Sequence, residues 1–220
     1  MAVNESRVEP KIRIPWGRNA ASLLPLTAFL YTGYQLSNRI HVFDPRELPL
    51  TALDHAIPFL LWTVWPYFLL VLLLFLPLGI RDRALYRRAL WAFTFAVTIN
   101  IVVWMVWPTI YPRPPKPEDP GLTGFAYRWL VSIDTPANCL PSGHITSPVV
   151  GCWALSREHP KHRVWIWPSL ILLSFTILTT KQHYVWDLPA GVLSALCGIW
   201  LSGWVAAPET VSVTELEPEG

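Results

Sequence analysis

The residues best suited to chemistry in this sequence are two histidines and an aspartate in two short polar stretches. His183 and Asp187 open and close the stretch HYVWD, and His144 ends the stretch PSGH. Four-residue spacing on a helix places two side chains on one face, so Asp187 can accept a hydrogen bond from one imidazole nitrogen of His183. The other nitrogen is then unprotonated and can act as a nucleophile or base. A helix-capping role for Asp187 is the alternative interpretation.

The PSGH stretch has the composition of a helix start that binds an anion. Pro141 and Ser142 favour the first positions of a helix, and Gly143 lets a ligand approach the backbone closely. Free amides at a helix N-terminus carry partial positive charge. His144, in the first turn, would face the same anion and could protonate a departing oxygen as a general acid. The alternative is a capped helix with an incidental histidine at the membrane interface.

A proline-rich stretch supplies the candidate cations. Six prolines fall between Pro108 and Pro120, so this segment cannot continue a helix and is predicted to be a stiff, extended loop. It carries Arg113 and Lys116. A guanidinium group matches phosphate oxygens in pairs, although a solvated surface charge is the alternative for both residues.

Long apolar segments must position these three stretches. The chain is 52% hydrophobic and contains 13 tryptophans, and a helix needs about 20 predominantly apolar residues to cross a bilayer. We therefore predict an all-α polytopic membrane protein, a bundle of six transmembrane helices with the active site at the outer membrane face. The predicted spans are residues 20–37, 56–79, 89–110, 142–156, 164–180 and 186–207. The domain limits are a cytoplasmic N-terminal segment (1–19), the six-helix catalytic domain (20–207) and a disordered acidic tail (208–220).

The distribution of basic residues predicts the orientation. With the N-terminus inside, the inner segments hold eleven of the seventeen Lys and Arg residues, as the positive-inside rule requires. Both termini are then cytoplasmic, and all three polar stretches meet on the outer face. A bacterial inner membrane with a periplasmic or extracellular active site is the expected location.

Composition also limits the partners. The net charge of +2 and the scattered basic residues do not indicate a nucleic-acid partner. Cys139, Cys152 and Cys197 lack paired spacing, so the sequence predicts neither a disulfide framework nor a metal site. The sequence does not indicate an oligomeric state.

Taken together, the motifs resemble those of the type 2 phosphatidic acid phosphatase superfamily, whose six-helix fold is shared with vanadium haloperoxidases. The matching elements are RP at Arg113, PSGH ending at His144, and HYVWD from His183 to Asp187. The resemblance implies a membrane lipid substrate carrying a phosphate or phospho-head group, and no metal or other cofactor. It implies that His183 forms a phosphohistidine, that Asp187 orients it and that His144 acts as acid. Arg113, Ser142 and Gly143 would contact the phosphate.

Two positions depart from the superfamily pattern. Val106 and Ile177 stand where a lysine and an arginine are usual, and Lys116 and Lys181 are the candidates to replace these cations as phosphate contacts. Fewer fixed cations suit a phosphodiester monoanion better than a monoester dianion. Several segments, among them DTPANCLPSGH and TTKQHYVWDLPAG, are also similar to the inositol phosphorylceramide synthase-like branch, whose members transfer a phospho-head group between lipids.

Hydrolysis and transfer to an alcohol both stay open, since water or an alcohol can resolve the same phosphoenzyme. A transporter is a more remote alternative, because it predicts charges near mid-span, whereas Asn100 is the one strongly polar residue deep in the third span. A catalytically silent scaffold is disfavoured because all three candidate catalytic residues are present.

Overall fold

The structure is a computed structural model that describes residues 15–206. The predicted acidic tail (208–220) and residues 1–14 of the predicted N-terminal segment lie outside the described residues.

Helices dominate the described part of the chain. They are α1 (Trp16–Ser37), α2 (Ala52–Ala56), α3 (Val64–Leu72), α4 (Arg83–Val106), α5 (Leu122–Ile133), α6 (Gly143–Glu158), α7 (Arg163–Ser174), α8 (Thr176–Thr179) and α9 (Asp187–Val205). Short 3-10 turns at Leu61–Thr63, Leu73–Gly79 and Pro160–His162 extend α3 and α7 at their ends. Two very short strands, β1 (Arg46–Glu47) and β2 (Thr109–Ile110), pair in parallel and interrupt the predicted all-helical pattern.

Four helical stretches are long and apolar enough to cross a membrane, which indicates an integral membrane protein. They are Leu61–Gly79, Arg83–Val106, Pro160–Thr179 and Asp187–Val205. The other two predicted spans correspond to α1 and α6, which are not among them. α6 has 16 residues, fewer than the roughly 20 that a perpendicular crossing needs. Four of the six predicted spans are thus supported by length and composition.

One helix near the predicted active site was not expected from the sequence. α5 follows the proline-rich loop and has only 12 residues, so a search for long apolar segments passes over it. It buries Tyr127 and Leu130 and exposes Phe125 and Trp129, which is the pattern of a short helix with one face toward the protein. α5 therefore forms a wall beside the polar stretches rather than a further span.

Small side chains allow α4 and α9 to pack very closely. A Cβ atom built at Gly198 would lie 2.5 Å from the carbonyl oxygen of Ala92 and 2.7 Å from the Cβ of Ala96. Ala195 and Ser202 continue the buried small face of α9. In a membrane, where lipid is as apolar as leucine, close packing of this kind is one of the forces that drive helix association. This contact fixes the position of α9, the helix that begins at Asp187.

A buried polar network joins α4, α6 and α9. Asn100 Nδ2 donates to Thr146 Oγ1 at 2.9 Å. The Thr146 hydroxyl in turn lies 2.9 Å from the carbonyl oxygen of Ser142 and 3.1 Å from that of Gly191. Asn100 is fully buried, and a buried amide is stabilised when it finds hydrogen-bond partners. The polar residue deep in the third span thus helps to set the relative positions of three helices.

Candidate active site

His183 and Asp187 form a buried hydrogen-bonded pair. His183 Nδ1 lies 2.8 Å from Asp187 Oδ2, with the side chains 5% and 0% exposed. The same carboxylate oxygen accepts from the backbone amide of Tyr184 at 2.9 Å. The contact expected from the spacing is present, but its local structure differs, because His183 precedes α9 in a tight turn and Asp187 is the first residue of that helix.

The pairing with Asp187 determines which nitrogen of His183 is available. An ionised carboxylate only accepts hydrogen bonds, so it places the imidazole proton on Nδ1. The carbonyl oxygen of Cys139, 3.2 Å from Nδ1, favours the same tautomer. Nε2 of neutral His183 therefore carries the lone pair that a nucleophile or base requires.

His144 lies directly opposite that lone pair. Its Nδ1 is 3.2 Å from His183 Nε2, and the two rings are 5.4 Å apart at 72°. Its other ring nitrogen, Nε2, lies 2.8 Å from the hydroxyl oxygen of Tyr67 on α3. Each histidine thus has one ring nitrogen bonded to a partner, Asp187 for His183 and Tyr67 for His144. The other ring nitrogen of each faces the other histidine.

The PSGH stretch starts a helix, as the sequence predicts. α6 begins at Gly143 with Ser142 as N-cap, and the Ser142 hydroxyl makes no capping bond. It lies instead 3.4 Å from His183 Nε2. Helix geometry leaves the first amides of a helix without intrahelical partners, although the Ile145 amide donates to the carbonyl oxygen of Ser142 at 3.1 Å.

Two contacts hold this helix start against its neighbours. The Ser142 amide donates to the carbonyl oxygen of Asp187 at 3.2 Å, and Trp104 Nε1 on α4 donates to the carbonyl oxygen of Pro141 at 3.0 Å. A Cβ at Gly191 would lie 2.8 Å from the carbonyl oxygen of Ser142. Glycine at that position therefore allows α6 and α9 to approach closely enough for the two histidines to meet.

Arg113 points into the same site but is bound to a carboxylate. It donates to the carbonyl oxygens of Asp134 and Thr135 at 2.6 and 2.8 Å and to Asp134 Oδ2 at 3.3 Å. The hydroxyl of Tyr34 donates to the other oxygen of the same carboxylate. Arg113 Nε is buried and has no hydrogen-bond partner among the described residues. The guanidinium is thus rigidly held and partly neutralised, with one donor left free.

The structure does not bring the two candidate lysines to the histidines. Lys181 Nζ donates to the carbonyl oxygens of Asp54 and Ile57, at 2.8 and 2.6 Å, and burial lowers the pKa of Lys181, an effect that Asp54 opposes. Lys116 is exposed in the proline-rich loop. Neither residue lines the cavity that contains His144 and His183.

Asp54 joins Lys181 in fixing the loop that carries His183. Its Oδ1 accepts from the amide of Val185 at 2.8 Å, and its Oδ2 accepts from the amide and hydroxyl of Thr51. Burial opposes ionisation, but these hydrogen bonds outweigh it and lower the pKa of Asp54. α2 and its capping residues therefore clamp the segment between Lys181 and Val185.

A cavity of about 630 Å³ opens from the site along the helices. Arg113, Gly143, His144 and His183 line one part of it. Apolar side chains from α1, α3 and α4 and the 3-10 turn after α3 line much of the rest, including Leu23, Leu26, Leu30, Val71, Leu74, Phe75, Phe93 and Val97. The site thus combines a polar end, suited to a phosphate, with a wall suited to hydrocarbon.

Cys139, His183 and Asp187 are close enough to be tested as a metal site. Their ligand atoms all lie within 4.8 Å of one another and are buried. Burial raises the pKa of the Cys139 thiol well above its usual value, and the nearby charge of Asp187 raises it further, whereas a metal ligand must be a thiolate. His183 Nδ1 is already bonded to Asp187. The donor set therefore fits a hydrogen-bonded cluster better than a metal centre.

A match to a protein family covers most of the chain. The model of the PAP2 superfamily matches residues 43–201, which is most of the chain, and the chain belongs to this superfamily. Membership indicates a phosphatase or phosphotransferase that acts on phosphate esters. The match does not distinguish the inositol phosphorylceramide synthase-like branch. No curated protein and no solved structure gives a significant match.

Two contributors to the site were not identified from the sequence. Tyr67 lies in an apolar helix rich in aromatic residues, where a tyrosine is more often assigned to the membrane interface. Asp134 lies shortly before PSGH, where an aspartate is typical of a turn. The signal that could have found Tyr67 is its hydroxyl, since a buried tyrosine needs a hydrogen-bond partner. No sequence signal pairs Asp134 with Arg113, because the pairing depends on how the loop folds back.

Proposed function

We propose that this protein is an integral membrane lipid phosphatase or phosphotransferase that acts through a phosphohistidine at His183, without a metal ion. The observation that carries the proposal is the arrangement of the two histidines. Nε2 of His183 faces Nδ1 of His144 across 3.2 Å, while its Nδ1 is bonded to Asp187. A nucleophile, its orienting carboxylate and an acid are the three parts that nucleophilic catalysis requires.

In the first step, His183 Nε2 attacks phosphorus and the bond from phosphorus to the leaving alcohol oxygen breaks. His144 Nδ1 gives its proton to that oxygen, so the alcohol leaves neutral. Asp187 stabilises the positive charge that develops on the His183 ring. In the second step, water or an acceptor alcohol gives a proton to His144 Nδ1 and attacks the phosphohistidine, which restores both histidines.

The phosphoryl oxygens would be bound by groups already in place around His183. The Ser142 hydroxyl lies 3.4 Å from the attacking nitrogen, α6 begins at Gly143, and Arg113 lines the same end of the cavity. Fixed donors of this kind are effective because they need no reorganisation when charge develops. Lys116 and Lys181 do not line the cavity and therefore do not belong to this set.

A lipid substrate is supported by the cavity and the membrane spans. The apolar wall formed by α1, α3 and α4 continues from the histidines, so a hydrocarbon chain can lie there while its phosphate reaches His183. The positive-inside bias supports a six-span topology with both termini cytoplasmic and the site at the outer face, in a bacterial inner membrane.

One observation favours head-group transfer of the inositol phosphorylceramide synthase type as a second candidate. Among the described residues that line the cavity, Arg113 is the single permanent cation and Asp134 the single carboxylate, and the two are paired. A dianionic monoester would find little net positive charge there, whereas a phosphodiester carries one negative charge fewer. Transport and a silent scaffold stay as remote alternatives.

The test incubates purified protein in detergent with a short-chain phosphatidic acid, or with a phosphodiester lipid and a lipid alcohol. Release of free phosphate assigns hydrolysis, and a new head-group lipid assigns transfer. We expect His183→Ala to abolish either product and vanadate, which resembles pentavalent phosphorus, to inhibit. His159→Ala, which removes an exposed histidine just after α6, is the matched control and should keep full activity. Unchanged turnover by His183→Ala would contradict the proposal.

A further inference from the structure

Tyr67 binds the ring nitrogen of His144 that faces away from His183. Its hydroxyl oxygen lies 2.8 Å from His144 Nε2, and its ring lies beside the imidazole, with centroids 5.2 Å apart. We propose that Tyr67 is a positioning residue for the acid and base step, which keeps Nδ1 as the nitrogen of His144 that exchanges a proton. This inference rests on the proposed function, in which His144 protonates the leaving oxygen.

The two ring nitrogens of His144 face different partners and therefore have different roles. Nδ1 faces His183 Nε2 at 3.2 Å, so it faces the place where phosphorus must bind. Nε2 points away from that place, to Tyr67. Because Nε2 is already bonded to Tyr67, Nδ1 is the nitrogen of His144 that is left to face a leaving oxygen.

A tyrosine hydroxyl suits a histidine that must change protonation state twice in each cycle. When His144 carries two protons, Nε2–H donates to the Tyr67 oxygen. When Nδ1 has given its proton to the leaving oxygen, Nε2–H stays bonded to Tyr67, and Nδ1 is left with a lone pair. That lone pair then accepts the proton of the attacking water or alcohol. The same nitrogen thus serves as acid and then as base, with no rotation of the ring.

The partners of the two histidines differ in charge, and the difference matches their roles. Asp187 places a negative charge on His183 Nδ1, which stabilises the positive ring formed when Nε2 bonds to phosphorus. Tyr67 is neutral, so it orients His144 without the charge that would hold a proton on it. A carboxylate in place of Tyr67 would stabilise protonated His144 and make it a weaker acid.

The position of Tyr67 is set by the buried face of α3. Val64, Tyr67 and Leu70 recur every three residues and are buried, which turns this face of the helix toward α6. The Tyr67 side chain is 1% exposed. Its hydroxyl is therefore held among side chains at the wall of the cavity.

The test compares two leaving groups in single-turnover reactions of the full chain. One substrate releases an alkyl alcohol, which needs protonation to leave, and the other carries the same phosphate on 4-nitrophenol, which leaves as an anion. General acid catalysis typically contributes about 10²- to 10⁴-fold, so we expect Tyr67→Phe to slow release of the alkyl alcohol about tenfold or more. The rate at which Tyr67→Phe releases nitrophenol should stay within about threefold of the wild-type rate, because nitrophenol leaves without help from the acid.

Tyr86→Phe is the matched control, because it removes another buried hydroxyl, which bonds to Ser22 on α1. It should leave both rates unchanged. His144→Ala should show the same selectivity as Tyr67→Phe, with a larger loss. Equal slowing of both substrates by Tyr67→Phe, or no slowing of either, overturns the inference and leaves the proposed function standing. A wild-type protein that releases neither alcohol overturns both.

Discussion

His144 and His183 are 39 residues apart in the chain, yet Nδ1 of the first lies 3.2 Å from Nε2 of the second. One histidine belongs to the first turn of α6 and the other to the turn before α9. The approach of these two helices, which Gly191 permits, therefore creates the pair. The superfamily motifs supply the side chains, and the packing of small residues brings them together.

Asp187→Asn is expected to lower kcat by about 100-fold or more, because it disturbs the tautomer of His183. The amide nitrogen of asparagine donates a hydrogen bond, so it favours a lone pair on Nδ1 and moves the proton to the attacking Nε2. The measurement is kcat with the substrate found in the lipid assay, with size-exclusion elution as the check on folding. Asp44→Asn, which changes an exposed aspartate, should keep wild-type kcat. A folded Asp187→Asn variant with wild-type kcat would contradict the role of Asp187.

Lys181→Met tests whether this lysine stabilises the loop that carries His183 or binds the phosphate. Because Nζ donates to the carbonyl oxygens of Asp54 and Ile57, we expect a lower melting temperature in detergent, with and without vanadate. The affinity for vanadate should stay within about threefold of wild type, since a lost phosphate contact typically costs more than 1 kcal/mol. Lys116→Met, in the exposed loop, should change neither quantity. A loss of vanadate affinity without a loss of stability would instead assign Lys181 to the phosphate.

Gly198→Val is expected to destabilise the contact between α4 and α9. The new Cβ would lie 2.5 Å from the carbonyl oxygen of Ala92, so the helices must separate, and overpacking of this kind typically costs about 1–3 kcal/mol. Thermal unfolding in detergent measures the effect as a lower midpoint. Gly17→Ala is the control, because a Cβ there meets no atom within 4 Å. An unchanged midpoint for Gly198→Val would show that α4 and α9 do not pack as described.

Labelling of engineered cysteines tests the proposed orientation. Lys116 and Lys161 are both exposed, the first in the proline-rich loop and the second in the short turn before α7. In intact cells, Lys116→Cys should react with a membrane-impermeant maleimide, and Lys161→Cys should react only after the membrane is permeabilised. The protein with its natural cysteines provides the background. The reverse pattern would place the active site on the cytoplasmic side.

The sequence predicted those parts of the site that depend on short-range spacing. PSGH predicted a helix start, and α6 begins at Gly143. The expected contact between His183 and Asp187 is present, although His183 precedes α9 and does not share a helix face with Asp187. The proline-rich stretch is free of helix from Pro108 to Pro120. Backbone geometry and proline chemistry act over a few residues, which is why such features can be inferred from local pattern.

The remaining parts of the site depend on contacts between distant segments. Tyr67 bonds to a histidine 77 residues away, and Arg113 bonds to Asp134 across 21 residues. Lys181 turns toward α2, 127 residues before it. A single sequence carries no local signal for such partners, so the charge balance of the cavity and the partner of His144 emerge only from the fold.

The most direct test of the account is to locate the covalent intermediate. Wild-type protein and His144→Ala are mixed with substrate, quenched at alkaline pH to preserve a phosphorus–nitrogen bond, digested and mapped by mass spectrometry. With the 4-nitrophenyl substrate, whose leaving group needs no acid, we predict a phosphoryl adduct on His183 in both proteins, with a higher yield in His144→Ala because the base for the second step is missing. Turnover with an adduct on another residue, such as Ser142, or with no adduct at all, would contradict the assignment of His183 as the nucleophile.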